Sequence, residues 1–274
     1  MTSIVFIRHF FIIISFEQNS LLWKAFVTFA QARKRGKRMS SGMESISVFD
    51  MLKIGVGPSS SHTLGPWRAA ERWIEELKKA NLFELVEGVV VNLYGSLSLT
   101  GIGHATDIAT VMGLLGYDPV TVPIENIDPE INTLKTFNRL NLNKERSIDF
   151  DFEKDIIFNK KFLPFHPNGI KFTAYLSTGK KASSTFYSIG GGFVVKEERR
   201  VAKRKLEKFK EFPFPIVKGT DLTKFTTEEK KKISEIVYEN EKSLRSEAEI
   251  DAGLKAIWDV MLESMYLGCH TEGI

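Results

Sequence analysis

The sequence predicts an α/β (α+β) chain, a sheet domain followed by a helical segment. Three observations carry that expectation. Val86 to Tyr94 is a β-branched run that stops at a loop rich in Gly and small polar residues and is followed by a helical pattern. Ile170, Phe172, Ala174 and Leu176 alternate with polar neighbours, and the turn Ser177-Thr178-Gly179-Lys180 leads into a second strand over 182–188. Beyond residue 220 the apolar positions fall at helical spacing only.

Taken in order, residues 43–195 read as the α/β domain, 196–225 as a linker and 226–274 as helices. A helix follows the polar loop at residues 59–63, with Trp67, Ala70, Trp73, Ile74 and Leu77 on one face. After Val86–Tyr94, the spacing of Ile108, Val111, Met112 and Leu115 predicts a helix over 104–115 with Gly116 at its C-cap. Val120 to Pro123 reads as a short strand, and Pro129 to Leu140 as a helix with Pro129 near its first turn. Gly190-Gly191-Gly192 separates the second clear strand from Phe193-Val194-Val195. Thr226 with Glu229 forms a capping-box pattern that predicts a helix to about Ser243, and a last helix runs from about Ile250 to Met265.

Composition narrows the function. The chain has 274 residues, 43% hydrophobic and 26% charged, which suffices for a real core and excludes wholesale disorder. Its single cysteine, Cys269, excludes an internal disulfide framework and any multi-cysteine metal site built by this chain alone. A reducing, cytoplasmic setting fits that usage. The formal charge is +4, but residues 1–42 hold seven Lys/Arg against Glu17 alone. The remainder is therefore near neutral, and nothing in it predicts a nucleic-acid surface.

Those first residues read as an upstream extension, with Met43 opening the globular pattern. Ile4 to Phe16 is apolar but interrupted by Arg8 and His9, and it falls short of the ~18–20 residues that span a bilayer. A membrane anchor over Ile4–Phe29 and an acid-poor transit peptide are the competing readings.

Two Gly-flanked polar loops each contribute one histidine. In Gly57-Pro58-Ser59-Ser60-Ser61-His62-Thr63, hydroxyls and unpaired amides at a helix start suit a carboxylate or phosphate, and His62 can exchange a proton there. The same residues serve equally as an N-cap cluster with a solvent-facing histidine. In Gly101-Ile102-Gly103-His104-Ala105-Thr106-Asp107, Gly103 permits close backbone approach and His104 is a candidate base at a helix start. Asp107 either orients that imidazole or caps the helix. Position 106 is Thr where the dinucleotide fingerprint needs Gly. His166 reads as a turn histidine, the three glycines as a turn, Cys269 with His270 as structural, and Arg199 to Lys210 as a solvated helix face.

These stretches together resemble the iron–sulfur-dependent L-serine dehydratases (L-serine ammonia-lyases) of bacteria. The resemblance is carried by Ser47-Val48-Phe49-Asp50 with Lys53 to Thr63, by Tyr94 to Gly101 with Gly103-His104 and Thr106-Asp107, by Asn168-Gly169, and by Tyr187 to Phe193. It covers residues 43–274. It implies a lyase that removes water from L-serine to give 2-aminoacrylate, then pyruvate and ammonia, in amino-acid catabolism and gluconeogenesis. It implies a [4Fe–4S] cluster held by three cysteines of a further domain, with no metal ligand in this chain. It implies His62 as the base taking the α-proton and His104 as a catalytic group beside it. The substrate carboxylate would be held by Ser59, Ser60, Ser61 and Thr63 with Gly95 and Ser96. The domain also looks like the substrate-binding regulatory domain of some 3-phosphoglycerate dehydrogenases.

Thr271 to Ile274 looks like the start of the second, alpha-type domain, so the cysteine-bearing part is expected outside this sequence or on a partner chain. These 274 residues alone are then expected not to turn over serine. A homodimer is the expected assembly. The rival expectation is a non-catalytic module that binds serine or a related hydroxy acid for regulation.

Overall fold

The computed structural model describes residues 46–197 and 212–272. The expectations for the leader, for a start at Met43 and for the basic run Arg199–Lys210 lie outside the described residues. Chain contacts divide the described residues into two units, 50–197 with 254–272 and 46–49 with 212–253.

The first unit is organised by one central strand. β1 (Val86–Gly95) pairs in parallel with β3 (Arg146–Asp149) and β4 (Ile156–Asn159) on one side. On its other side it runs antiparallel to β5 (Asn168–Leu176), which continues through β6 (Lys181–Gly190) and β7 (Phe193–Lys196). β2 (Arg139–Leu142) closes the far edge against β3, completing a seven-stranded mixed sheet. The register sets Val89 opposite Ala174, Val91 opposite Phe172 and Leu93 opposite Ile170, so one face of the sheet is continuous and apolar.

α1 (Gly65–Lys79) covers that face. Its buried residues Trp67, Ala70, Trp73, Ile74 and Leu77 are those the spacing picked out, and Pro66 sits in its first turn where no amide hydrogen is missed. Trp73 stacks on Phe172 with ring centroids 5.0 Å apart, and Phe172 meets Phe186 edge-on at 6.0 Å. α2 (Thr106–Leu114) lies against α1 at Gly113, where a Cβ would sit 2.6 Å from the Trp67 carbonyl oxygen. Gly116 follows its end at φ +79°, as the C-terminal glycine pattern predicts.

Two local expectations are corrected. Val120 to Pro123 is a turn: the Asp118 carboxylate accepts the amides of Val120 (2.7 Å) and Thr121 (3.3 Å), an Asx arrangement that competes with strand pairing. The helix expected to reach Leu140 is α3 (Ile127–Phe137), and it stops at Asn138 in the left-handed region, φ +49°. Arg139 onward then pairs as β2.

The second unit holds α4 (Gly219–Glu229), α5 (Ile233–Lys242) and the first residues of α6 (Glu247–His270). One helix from Thr226 to Ser243 was expected, but the chain breaks at Lys230, φ +53°, and Thr226 lies inside α4 with its hydroxyl on the Leu222 carbonyl. The acids that close helix starts are instead Asp221, on the Lys218 amide, and Glu235, on the Lys232 amide. The buried Glu241 accepts from the Val48 amide (2.7 Å), the Ser47 hydroxyl (2.9 Å) and the Arg245 guanidinium, which pins residues 47–48 to these helices. Among the described residues no helix is long and apolar enough to cross a membrane.

Candidate active site

The first polar loop is a wide turn. Ser59 is extended, and its carbonyl accepts both Thr63 N (2.9 Å) and Leu64 N (3.1 Å), so Ser60–Leu64 winds as one π-helical turn directly into α1. The Ser59 hydroxyl accepts the His62 amide at 3.1 Å, capping that turn. Gly57, at φ +105°, makes the preceding bend, and a Cβ there would overlap the Thr63 methyl at 2.2 Å. The loop is braced from the sheet, because Ser188 Oγ donates to the Ser61 carbonyl (2.7 Å) and Asn168 Nδ2 to the Ser188 carbonyl (3.1 Å).

The second loop begins where β1 ends. Gly95 adopts φ +56°, ψ −121°, and the chain makes a helical turn over Ser96–Leu99 before Gly101. His104 donates from Nδ1 to the Thr100 carbonyl at 2.9 Å, which fixes the ring and leaves Nε2 outside that bond. Asp107 does not orient this imidazole. Its Oδ1 accepts the Ile108 amide (2.9 Å) and so closes the start of α2, while burial raises its carboxyl above the ordinary range.

The two loops meet at their histidines. The His62 and His104 rings lie 5.0 Å apart at 37°. His62 is held at both nitrogens, Nδ1 by Ser61 Oγ (2.8 Å) and Nε2 by Ser96 Oγ (2.9 Å). Burial, and next the charge of His104, hold His62 below the ordinary imidazole range against an opposing hydrogen bond to the Ser96 backbone. His62 is therefore neutral near pH 7 and has a lone pair to offer.

The structure thus joins Ser59, Ser61, His62, Ser96 and His104. It places the remaining candidates differently. Thr63 is fully buried and its hydroxyl donates to the His104 carbonyl at 2.9 Å. Ser60 is buried at the start of the turn. The Gly95 amide donates to the Lys161 carbonyl (2.9 Å) and the Ser96 amide to the Pro167 carbonyl (3.0 Å), so Ser96 can reach a ligand through its hydroxyl and Gly95 shapes the bend. His166 accepts the Asn168 amide at its Nδ1 (3.2 Å), and Gly190, Gly191 and Gly192 all take positive φ in the β6–β7 turn. Thr100 and Thr106 were missed by the sequence reading. Thr106 had one signal: it opens a helix directly after Ala105, a residue that cannot cap.

Residues 47–199 match the family described as serine dehydratase beta chain, a span that holds both histidines and every residue that fixes them. The chain belongs to that family. Curated relatives of this serine dehydratase beta-chain region agree. The L-serine dehydratase TdcG of Escherichia coli is 42% identical over 230 residues, covering 84% of this chain and 50% of the relative. The L-serine dehydratase of Haemophilus influenzae is 41% identical over 231 residues, covering 84% and 50%. That of Streptomyces coelicolor is 40% identical over 232, covering 84% and 51%. The chain spans about half the length of the curated relatives it matches.

A pH dependence follows from the buried imidazole. The unfolded chain takes up a proton at His62 below pH ~6.5, whereas the folded chain resists it, so stability falls as pH drops from that value through the folded pKa. His166, lowered by burial, acts with the same sign. Urea midpoints are expected to decrease between pH 7.5 and 5, and to decrease less in His62→Gln. An equal decrease in both proteins would show that His62 is not the group responsible.

Proposed function

We propose that this chain is the substrate-side half of an L-serine dehydratase, which converts L-serine to 2-aminoacrylate and thence to pyruvate and ammonia. The observation that carries the reading is the pair of imidazoles 5.0 Å apart, one of them kept neutral by burial, in a site lined with serine hydroxyls. The hydroxyls of Ser59, Ser61 and Ser96, with the amides that open the π turn, receive the substrate carboxylate. His62 takes the α-proton at Nε2 once the Ser96 hydroxyl swings from it to the substrate. His104, fixed by Thr100, binds the substrate beside it through Nε2. The reading carries with it a cytoplasmic homodimer.

The [4Fe–4S] cluster implied by the resemblance does not fit the residues of this chain. Three thiolates are needed, the sequence holds one cysteine, and Cys269 is exposed near the end of α6. No group of three or more His, Cys, Asp or Glu among the described residues is placed to hold a metal ion. Substrate capture and removal of the α-proton are the steps assigned to this chain.

Histidine-labelled NMR of the chain tests the assignment. Addition of L-serine is expected to shift the imidazole signals of His62 and His104, and L-alanine and D-serine to shift them less. Unmoved signals at saturating L-serine would remove the site from consideration.

A further inference from the structure

Two threonine hydroxyls cross between the histidine loops. Thr63, next to His62, donates to the His104 carbonyl (2.9 Å), and Thr106, two residues beyond His104, donates to the His62 carbonyl (2.6 Å). Each hydroxyl thus grips the backbone of the residue that carries the other loop's imidazole. Both threonines are fully buried, so neither bond is exchanged with water.

Thr106 holds the first helical position, one residue past the cap, so its hydroxyl is available to a partner outside its own helix. In this chain the cap position is Ala105, in the left-handed region at φ +51°, ψ +40°, with no side-chain cap, and the Thr106 hydroxyl leaves its helix for the His62 carbonyl. A residue with a Cβ held in that region marks a segment whose surroundings dictate its geometry. The left-handed backbone at Ala105 and the outgoing hydroxyl of Thr106 coincide at the segment that carries His104.

We infer that Thr106, together with Thr63, is a positioning residue that sets the separation of the His62 and His104 imidazoles by this reciprocal crossing. The catalytic consequence rests on the dehydratase reading, but the geometric claim does not. The crossing fixes the two backbones, and the second loop then holds both rings, His104 through the Thr100 carbonyl and His62 through the Ser96 hydroxyl.

The test uses Thr106→Val, which keeps the shape and removes the hydroxyl, and Thr106→Ser, which keeps the hydroxyl. In the full chain labelled at its five histidines, Thr106→Val is expected to raise the titration midpoint of His62 by about 0.5 pH unit as the loops part and water enters. Thr106→Ser is expected to leave it in place. Thr63→Val removes the other arm and is expected to shift His62 in the same direction, which keeps the test decisive if Thr106→Val does not fold.

In the enzyme assembled with its cysteine-bearing half, Thr106→Val is expected to lower kcat on the order of 10–100-fold with KM within about threefold, and Thr106→Ser to restore it. An unchanged His62 titration in both Val variants overturns the inference, as does a Ser variant that behaves like Val. If the unsubstituted assembled enzyme makes no pyruvate, the dehydratase reading falls and the titration alone decides the clasp.

Discussion

His62→Ala is expected to lower turnover of L-serine by about 10³-fold or more in the enzyme assembled from this chain and its cysteine-bearing half. Both nitrogens of this imidazole face hydroxyls of the site, Ser61 and Ser96, and burial keeps the ring from taking a second proton near neutrality. Truncation removes the proposed proton acceptor and leaves the crossing of Thr63 and Thr106 intact, because those hydroxyls bind the backbone carbonyls. The thermal midpoint is therefore expected to move by only about 2–4 °C. His62→Gln, which preserves a partner for Ser96, is expected to be as inactive as the alanine variant. Rates within about tenfold of the unsubstituted enzyme would assign the α-proton to another base.

Gly95→Ala is expected to cost about 3–5 kcal/mol of stability or to prevent folding. Gly95 combines φ +56° with ψ −121°, a pairing that L side chains scarcely reach. A Cβ there would also lie 2.3 Å from the Pro167 carbonyl oxygen and 2.7 Å from the Phe162 ring. The Pro167 carbonyl has little freedom to retreat, since it accepts the Ser96 amide. Gly103→Ala is the internal control: nothing lies within 4 Å of its Cβ position and its φ is not positive, so the expected change is within about 0.5 kcal/mol. Urea unfolding of the two variants checks the contrast, and similar midpoints would show that the bend at Gly95 tolerates a side chain.

The sequence made legible those elements whose pattern is long and strict. α1 shows five apolar residues on one helical face, and β1, β5 and β6 are runs of nine or ten residues with a clear burial alternation or a buried apolar stretch. β2, β3 and β4 are four residues each, too short to establish a period, and β4 is fixed by parallel pairing to β1 from more than sixty residues away. Arg139–Leu142 continues the apolar stripe of α3, and only the left-handed turn at Asn138 separates helix from strand. Lys230 does the same between α4 and α5, and a lysine at φ +53° carries no local signal.

The site was legible as two loops and not as one place. His62 and Ser96 are brought to 2.9 Å by the sheet, since β1 carries Ser96 to the mouth of the turn that begins at Ser59. Which groups face outward was hidden for the same reason. Thr63 looks like its serine neighbours in sequence, yet the π turn aims its hydroxyl at the His104 carbonyl. Asp107 looks like a partner for His104, yet α2 draws it to the Ile108 amide, and a backbone carbonyl, which leaves no trace in sequence, orients the imidazole instead.

Release of pyruvate from L-serine under anaerobic conditions, with and without the cysteine-bearing half, tests the central claim most directly. The account predicts no pyruvate from these 274 residues alone, turnover when the two halves are combined, and its loss in His62→Ala. Pyruvate from the chain by itself would contradict the assignment of substrate capture and proton removal as its only share. Serine binding without turnover in the combined protein would instead make the site a binding module.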